Sequence, residues 1–272
     1  MREISNKNSK FGQRSGIYPH LLIGLAICLS WYVLALVADI PGMILKVDGA
    51  SALGQSISHG AKLVGGLLLV FGLLPVLLRA YHEKYTTYLR ATGILFPTEK
   101  HHRVVLIAFL LVAGILFVAD LASNGLAGLE TYHAAHGIPT LALAAFASLQ
   151  AAIVEELIFR GIAFDFLKRR FPVWVAILLP AILFGFAHAW WGLGRVAGTA
   201  FMGILFALLR WRTDNVWGPI AMHFLINFGF PIPAWVGWLI AVVVSAGLEI
   251  AKQVRRNDDE VGRLERKITS TD

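Results

Sequence analysis

Eight apolar runs divide this chain, at about residues 17–38, 60–80, 104–123, 139–164, 172–191, 196–210, 216–230 and 233–250. A helix that crosses a bilayer needs roughly 20 mostly apolar residues, and most of these runs meet that length. The runs at 196–210 and 216–230 fall short, so they need flanking residues or shielding by neighbours. With 57% hydrophobic residues, 15% charged residues and a mean hydropathy of +0.67, a chain of 272 residues is too apolar for a soluble domain. The expected fold is all-α, a polytopic membrane helix bundle of about eight transmembrane helices. Residues 1–16 read as an N-terminal tail, 17–250 as the membrane domain and 251–272 as a charged tail.

Basic residues alternate along the connections. Arg2, Lys7, Lys10 and Arg14 precede the first run, whereas the next connection offers only Lys46. Arg79, Lys84, Arg90, Lys100 and Arg103 follow the second run, while 121–136 has no Lys or Arg. Lys168, Arg169 and Arg170, then Arg210 and Arg212, then Lys252, Arg255 and Arg256 continue the alternation. An even number of crossings with both ends in the cytoplasm predicts this pattern. The net charge of +7 is then a topology signal and an attraction to anionic lipid. It is no argument for a nucleic-acid partner.

Other segments carry less. Cys28, the only cysteine, can form no internal disulfide and reads as a structural thiol. The first run lacks a convincing cleavage site and is expected to stay as a helix. Residues 81–96 mix tyrosines and leucines with Lys84 and Arg90, which suits either an amphipathic surface segment or a solvated loop. The tail from Lys252 onward reads as solvated helix or disorder. Trp174, Trp190, Trp191, Trp211 and Trp217 flank the runs as interface anchors.

Polar residues inside the runs are a different matter. Glu155, Glu156 and Arg160 interrupt the fourth, His188 the fifth, and His223 with Asn227 the seventh. Ionisable groups at bilayer depth are costly and by default mark a working site. On a helix Arg160 lies four residues beyond Glu156 and faces it with the acid N-terminal, the favoured order. Glu155 points about 100 degrees away and has no counter-charge on its own helix. Glu156 and Arg160 are therefore assigned to holding the site in shape, and Glu155 to chemistry. His223 and Asn227 share a helix face. Asparagine is a poor zinc ligand, and the pair is better suited to donating hydrogen bonds to an oxyanion.

The motifs Glu155-Glu156-x-x-x-Arg160, Phe184-x-x-x-His188 and His223-x-x-x-Asn227, in that order over about residues 139–230, resemble the CPBP or Abi group of intramembrane proteases. That group includes the eukaryotic CAAX prenyl endopeptidase of the Rce1 type. The resemblance implies a glutamate-type peptidase of the bacterial cytoplasmic membrane with no metal or other cofactor. Glu155 and His188 would activate water, and His223 and Asn227 would stabilise the tetrahedral intermediate. Phe184 would join Glu156 and Arg160 as structural support. The implied partners are a peptide or membrane-anchored protein substrate and membrane lipid; the oligomeric state is not legible. A zinc-dependent hydrolase using Glu155, His188 and His223, and a proton-coupled transporter, are the alternatives. One conflict stands. Counted at about 1.5 Å per residue from the basic flanks, His188 comes out about 10 Å displaced from the level of Glu155 and His223. Straight, upright helices would not assemble the site, and Pro180 is the place to expect a bend.

Overall fold

The computed structural model describes residues 17–78 and 84–269. Arg2, Lys7, Lys10, Arg14, Arg79 and Tyr81, on which parts of the charge and loop readings rest, lie outside them. Helix α1 (Ile17–Val37) leads into the short α2 (Ile40–Ile44). Helix α3 (Ala52–Leu68) starts where the Ser51 hydroxyl accepts from the Gly54 N–H at 3.0 Å, and passes through a π-helical turn, Leu69–Leu73, into α4 (Leu74–Leu77). Then come α5 (Tyr85–Ala91), α6 (Lys100–Asn124) and α7 (Ala127–Ala135). Helix α8 (Leu141–Glu156), capped by Thr140, widens into a π-helical segment, Leu157–Ala163, and continues as α9 (Phe164–Lys168). The chain closes with α10 (Val173–Phe186), α11 (Leu193–Thr213), α12 (Trp217–Phe228) and α13 (Pro231–Thr269).

Among the described residues, six helical stretches are long and apolar enough to cross a membrane: His20–Ile44, Ala52–Leu77, Lys100–Asn124, Leu141–Lys168, Leu193–Thr213 and Pro231–Leu264. The remaining two of the eight apolar runs form α10 and α12, of 14 and 12 residues. At about 1.5 Å per residue neither reaches across a hydrocarbon layer of roughly 30 Å. Turn geometry cuts them short. Pro172 precedes α10, and the chain leaves it through a turn at His188 and a 3₁₀ turn, Ala189–Trp191. Gly229, at φ 102°, ends α12, and Pro231 opens α13. Short apolar helices suit lipid only if longer ones surround them.

Helix α8 is the centre of the bundle. Its most apolar window is 61% buried, against 39% or less in the other five spans. Helix α3 packs on one side and α12 on another, and α1 lies against the π-helical segment. Lipid supplies no hydrophobic drive between helices, so close packing of small residues holds them together. At Gly185 a Cβ would sit 2.7 Å from both the Ala200 Cβ and the Val196 carbonyl oxygen. That absence of a side chain lets α10 and α11 touch backbone to backbone.

The segment after α4 is neither free loop nor surface float. Tyr88 is buried and its hydroxyl donates to the Val70 carbonyl at 2.6 Å. Arg210 donates to the Ala91 carbonyl at 2.9 Å, Asn215 to Leu95 at 3.0 Å, and the Val216 N–H to Gly93 at 3.0 Å. The charged tail is helical: α13 runs unbroken for 39 residues and is exposed from Ala251 to Val261. Cys28 is fully buried, and Trp174, Trp190, Trp191 and Trp217 are exposed, as anchors at an interface require.

Gly185→Val should force α10 away from α11. Overpacking of this kind costs about 1–3 kcal/mol, and a drop in Tm of roughly 5 °C in detergent is the expected result. An unchanged Tm would show that the close approach is not tightly packed.

Candidate active site

The π-helical segment begins directly after Glu155 and Glu156. Widening the helix frees its strict period, yet the acid four residues before Arg160 still meets it: Arg160 Nη1 donates to Glu156 Oε1 at 2.9 Å. Both side chains are fully buried. The guanidinium also donates through Nη2 to the Gly203 carbonyl at 3.1 Å, and its centre lies 4.5 Å from the Phe184 ring and 5.3 Å from Phe206. A Cβ on Gly203 would stand 2.8 Å from Nη2 and 3.0 Å from the Ala181 Cα, so only glycine leaves room for this reach.

Helix α12 brings a second cation-capable group to the same oxygen. His223 Nδ1 lies 2.9 Å from Glu156 Oε1. With Arg160 already donating there, the carboxylate oxygen is an acceptor and Nδ1 carries the proton. His223 Nε2 then turns toward Glu155, whose Oε2 is 3.9 Å away. The ring stacks on Phe206 at 5.1 Å and stands edge-on to Phe184 at 5.9 Å. Glu155 thus gains across the helix interface the neighbour it lacks along its own helix.

His188 does not belong to α10. It sits in the turn that follows, with Nδ1 donating to the Phe184 carbonyl at 2.9 Å. A carbonyl only accepts, so this bond fixes the tautomer and leaves Nε2 free. Its ring lies 5.0 Å from Phe184, which touches His223 from the other side. The depth conflict does not keep the two histidines apart, for both line one cavity. A cavity of about 530 Å³ is lined by Phe184, His188, Arg195, Thr199, His223 and Asn227, among others. Asn227, half-buried, stands one turn beyond His223 on the same wall.

Glu155 lies behind His223, 6% exposed, and is not part of that cavity wall. The geometry therefore makes two groups that share His223. Glu155 and Glu156 meet it from the protein side, with Arg160 behind Glu156, while His188 and Asn227 line the cavity with it. Among the described residues, no three His, Cys, Asp or Glu side chains are placed to hold a metal ion.

Arg210 is the residue that sequence reasoning missed. Counted among basic flanking residues, it is in fact 1% exposed. Its Nε donates to the Arg160 carbonyl at 3.1 Å, Nη2 to Ala91, and Nη1 to Asp214 at 2.9 Å. The Asp214 four residues on, an i,i+4 pair, was the available signal.

A family model described as type II CAAX prenyl endopeptidase Rce1-like matches residues 137–229, a segment that contains Glu155, Glu156, Arg160, His188, His223 and Asn227. This segment is similar to the Rce1-like family. A curated protein of Bacillus subtilis (strain 168) named "Putative membrane peptidase YdiL" is 36% identical over 80 residues. That match covers 29% of this chain and 32% of the relative, so it spans about a third of the relative's length. No solved structure matches the chain. The Rce1-like core corresponds to α8 through α12, the helices whose side chains surround His223.

Within that core, Glu156→Gln removes the charge opposite a fully buried guanidinium. Breaking one partner of a buried pair costs about 3–5 kcal/mol, so Tm should fall by roughly 10 °C. Glu155→Gln, which leaves the Arg160 pair intact, should lower it far less; equal losses would refute the division of labour between the two acids.

Proposed function

We propose that this protein is a glutamate-type endopeptidase that hydrolyses a peptide or membrane-anchored protein inside the bilayer. The observation that carries the reading is the shared cavity of His188, His223 and Asn227 with Glu155 directly behind His223. The match of residues 137–229 to the Rce1-like family model, and the peptidase name of the Bacillus relative, support it. The charge alternation further supports a bacterial cytoplasmic membrane with both chain ends in the cytoplasm.

In this mechanism the substrate carbonyl lies in the cavity and water attacks its carbon. Glu155 and the free Nε2 of His188 activate the attacking water, and one of them takes its proton as the C–O bond forms. The carbonyl electron pair moves to oxygen, where the Asn227 amide and the His223 ring, both on the cavity wall, stabilise it. Collapse of the intermediate breaks the C–N bond, and the proton held by Glu155 or His188 passes to the leaving amine. Glu156, Arg160 and Phe184 hold the rings in place. The protein's partners are then the peptide substrate and surrounding lipid.

Glu155→Gln and His188→Ala should abolish cleavage while the protein still folds and inserts. His223→Ala and Asn227→Ala should each slow turnover by about 100-fold or more if each removes an oxyanion donor. Comparative peptidomics of membranes and secreted material, from cells expressing the wild type or Glu155→Gln, supplies substrates for the assay. Normal proteolysis by Glu155→Gln would overturn the assignment of the base.

A further inference from the structure

The seam between α3 and α8 holds polar groups that the chemistry above does not use. Contacts follow one another along it: Gln55 Nε2 donates to the Gly137 carbonyl at 2.7 Å, His59 Nδ1 meets Gln150 Oε1 at 2.9 Å, and Val154 fills the place a Cβ on Gly66 would take. Residue numbers rise together on both sides, so the two helices run parallel. At the first rung lies a cavity of about 290 Å³, lined by Asp39, Gln55, Ser58 and His59 among others. At the second, Gln150 is 1% exposed, and its Nε2 has no partner among the described residues. A buried amide N–H without a protein partner calls for a solvent partner.

Lys62 stands one turn beyond His59, between the second rung and the third. It is half-buried in the apolar span Ala52–Leu77 and makes no ion pair within 4 Å among the described residues. An ammonium at this depth, with no ion pair, needs water or a functional partner. Glu155 comes five residues beyond Gln150, next to the Val154 that packs on Gly66, and on the side of His223 away from the larger cavity.

We propose that this seam is a second, polar access route to Glu155, leading from the small cavity past His59, Gln150 and Lys62, and that it supplies water while a peptide fills the larger cavity. The inference rests on the peptidase reading for its purpose, but the route itself does not. A base closed off by its own substrate could activate only the water trapped at binding; a separate entry removes that limit. Lys62 is a positioning residue here: its ammonium orders the water file and touches no substrate.

Two experiments on the full chain separate the route from the reading. Cys28 is fully buried, so a Glu155→Cys variant presents one reactive thiol at the site. Its labelling by a small water-soluble thiosulfonate should slow at least tenfold when Ser58→Trp plugs the small cavity, and less than twofold when Thr199→Trp fills the large one. The reverse pattern, or no slowing by Ser58→Trp, overturns the route whether or not the protein cleaves anything. In a cleavage assay Lys62→Met should lower kcat about tenfold at unchanged KM, with Lys62→Arg restoring it. A raised KM at unchanged kcat would make the seam part of the substrate site and overturn the proposal. A wild type that cleaves no peptide would sink the peptidase reading and leave the labelling result standing.

Discussion

One carboxylate oxygen organises this protein. Glu156 Oε1 accepts from Arg160 and from His223 at 2.9 Å each, in a place with no exposure to solvent. A charge so deep is tolerable only when opposite charge and hydrogen bonds surround it. The same oxygen ties α8 to α12, and the guanidinium it holds ties α8 to α11 through Gly203 and to α10 through Phe184. A buried ion pair is weak evidence for stability in its own right. Here its consequence is geometric, because four helices can satisfy the pair in one arrangement only.

The π-helical segment and Arg210 extend that constraint outward. Leu157–Ala163 places the Arg160 carbonyl where the Arg210 Nε can reach it, and Arg210 passes the connection on to Ala91 and Asp214. The segment around α5, remote in sequence from the polar centre, is thereby fastened to it. Tyr88 and Asn215 secure the same segment at its two ends. Glu156, Arg160 and Arg210 form one buried chain of charge whose every step is a hydrogen bond, a rigid support for groups that must be placed to within fractions of an ångström.

What could be read from sequence was what composition and helical spacing record. Apolar runs announce helices, polar interruptions announce a site, and the four-residue spacing of Glu156 and Arg160 announces their pair. Where helices stop was not legible, because α10 and α12 end at backbone turns, at His188 and at Gly229 with its φ of 102°, that a hydropathy profile does not sense. The π-helical widening was hidden for the same reason. Partners across helices were hidden too: nothing local to α8 says that His223 serves both acids, and nothing local to α11 says that Arg210 turns inward rather than toward water. Lys62 escaped notice because it is a single charge in a long apolar run.

That packing bears on which of two adjacent acids can do chemistry. Glu156 is held by a guanidinium and an imidazole at one oxygen, while its Oε2 is buried without a partner. Accepting and releasing a proton there would strand the Arg160 charge at each cycle. Glu155 has no such tie: one oxygen faces His223 at 3.9 Å, too long for a hydrogen bond, and the residue keeps a trace of exposure. A carboxylate with loose partners can, in the proposed mechanism, change its protonation state without disturbing the framework. Neighbouring glutamates on one helix turn, identical in chemistry, are therefore set in different surroundings by what the other helices bring to them.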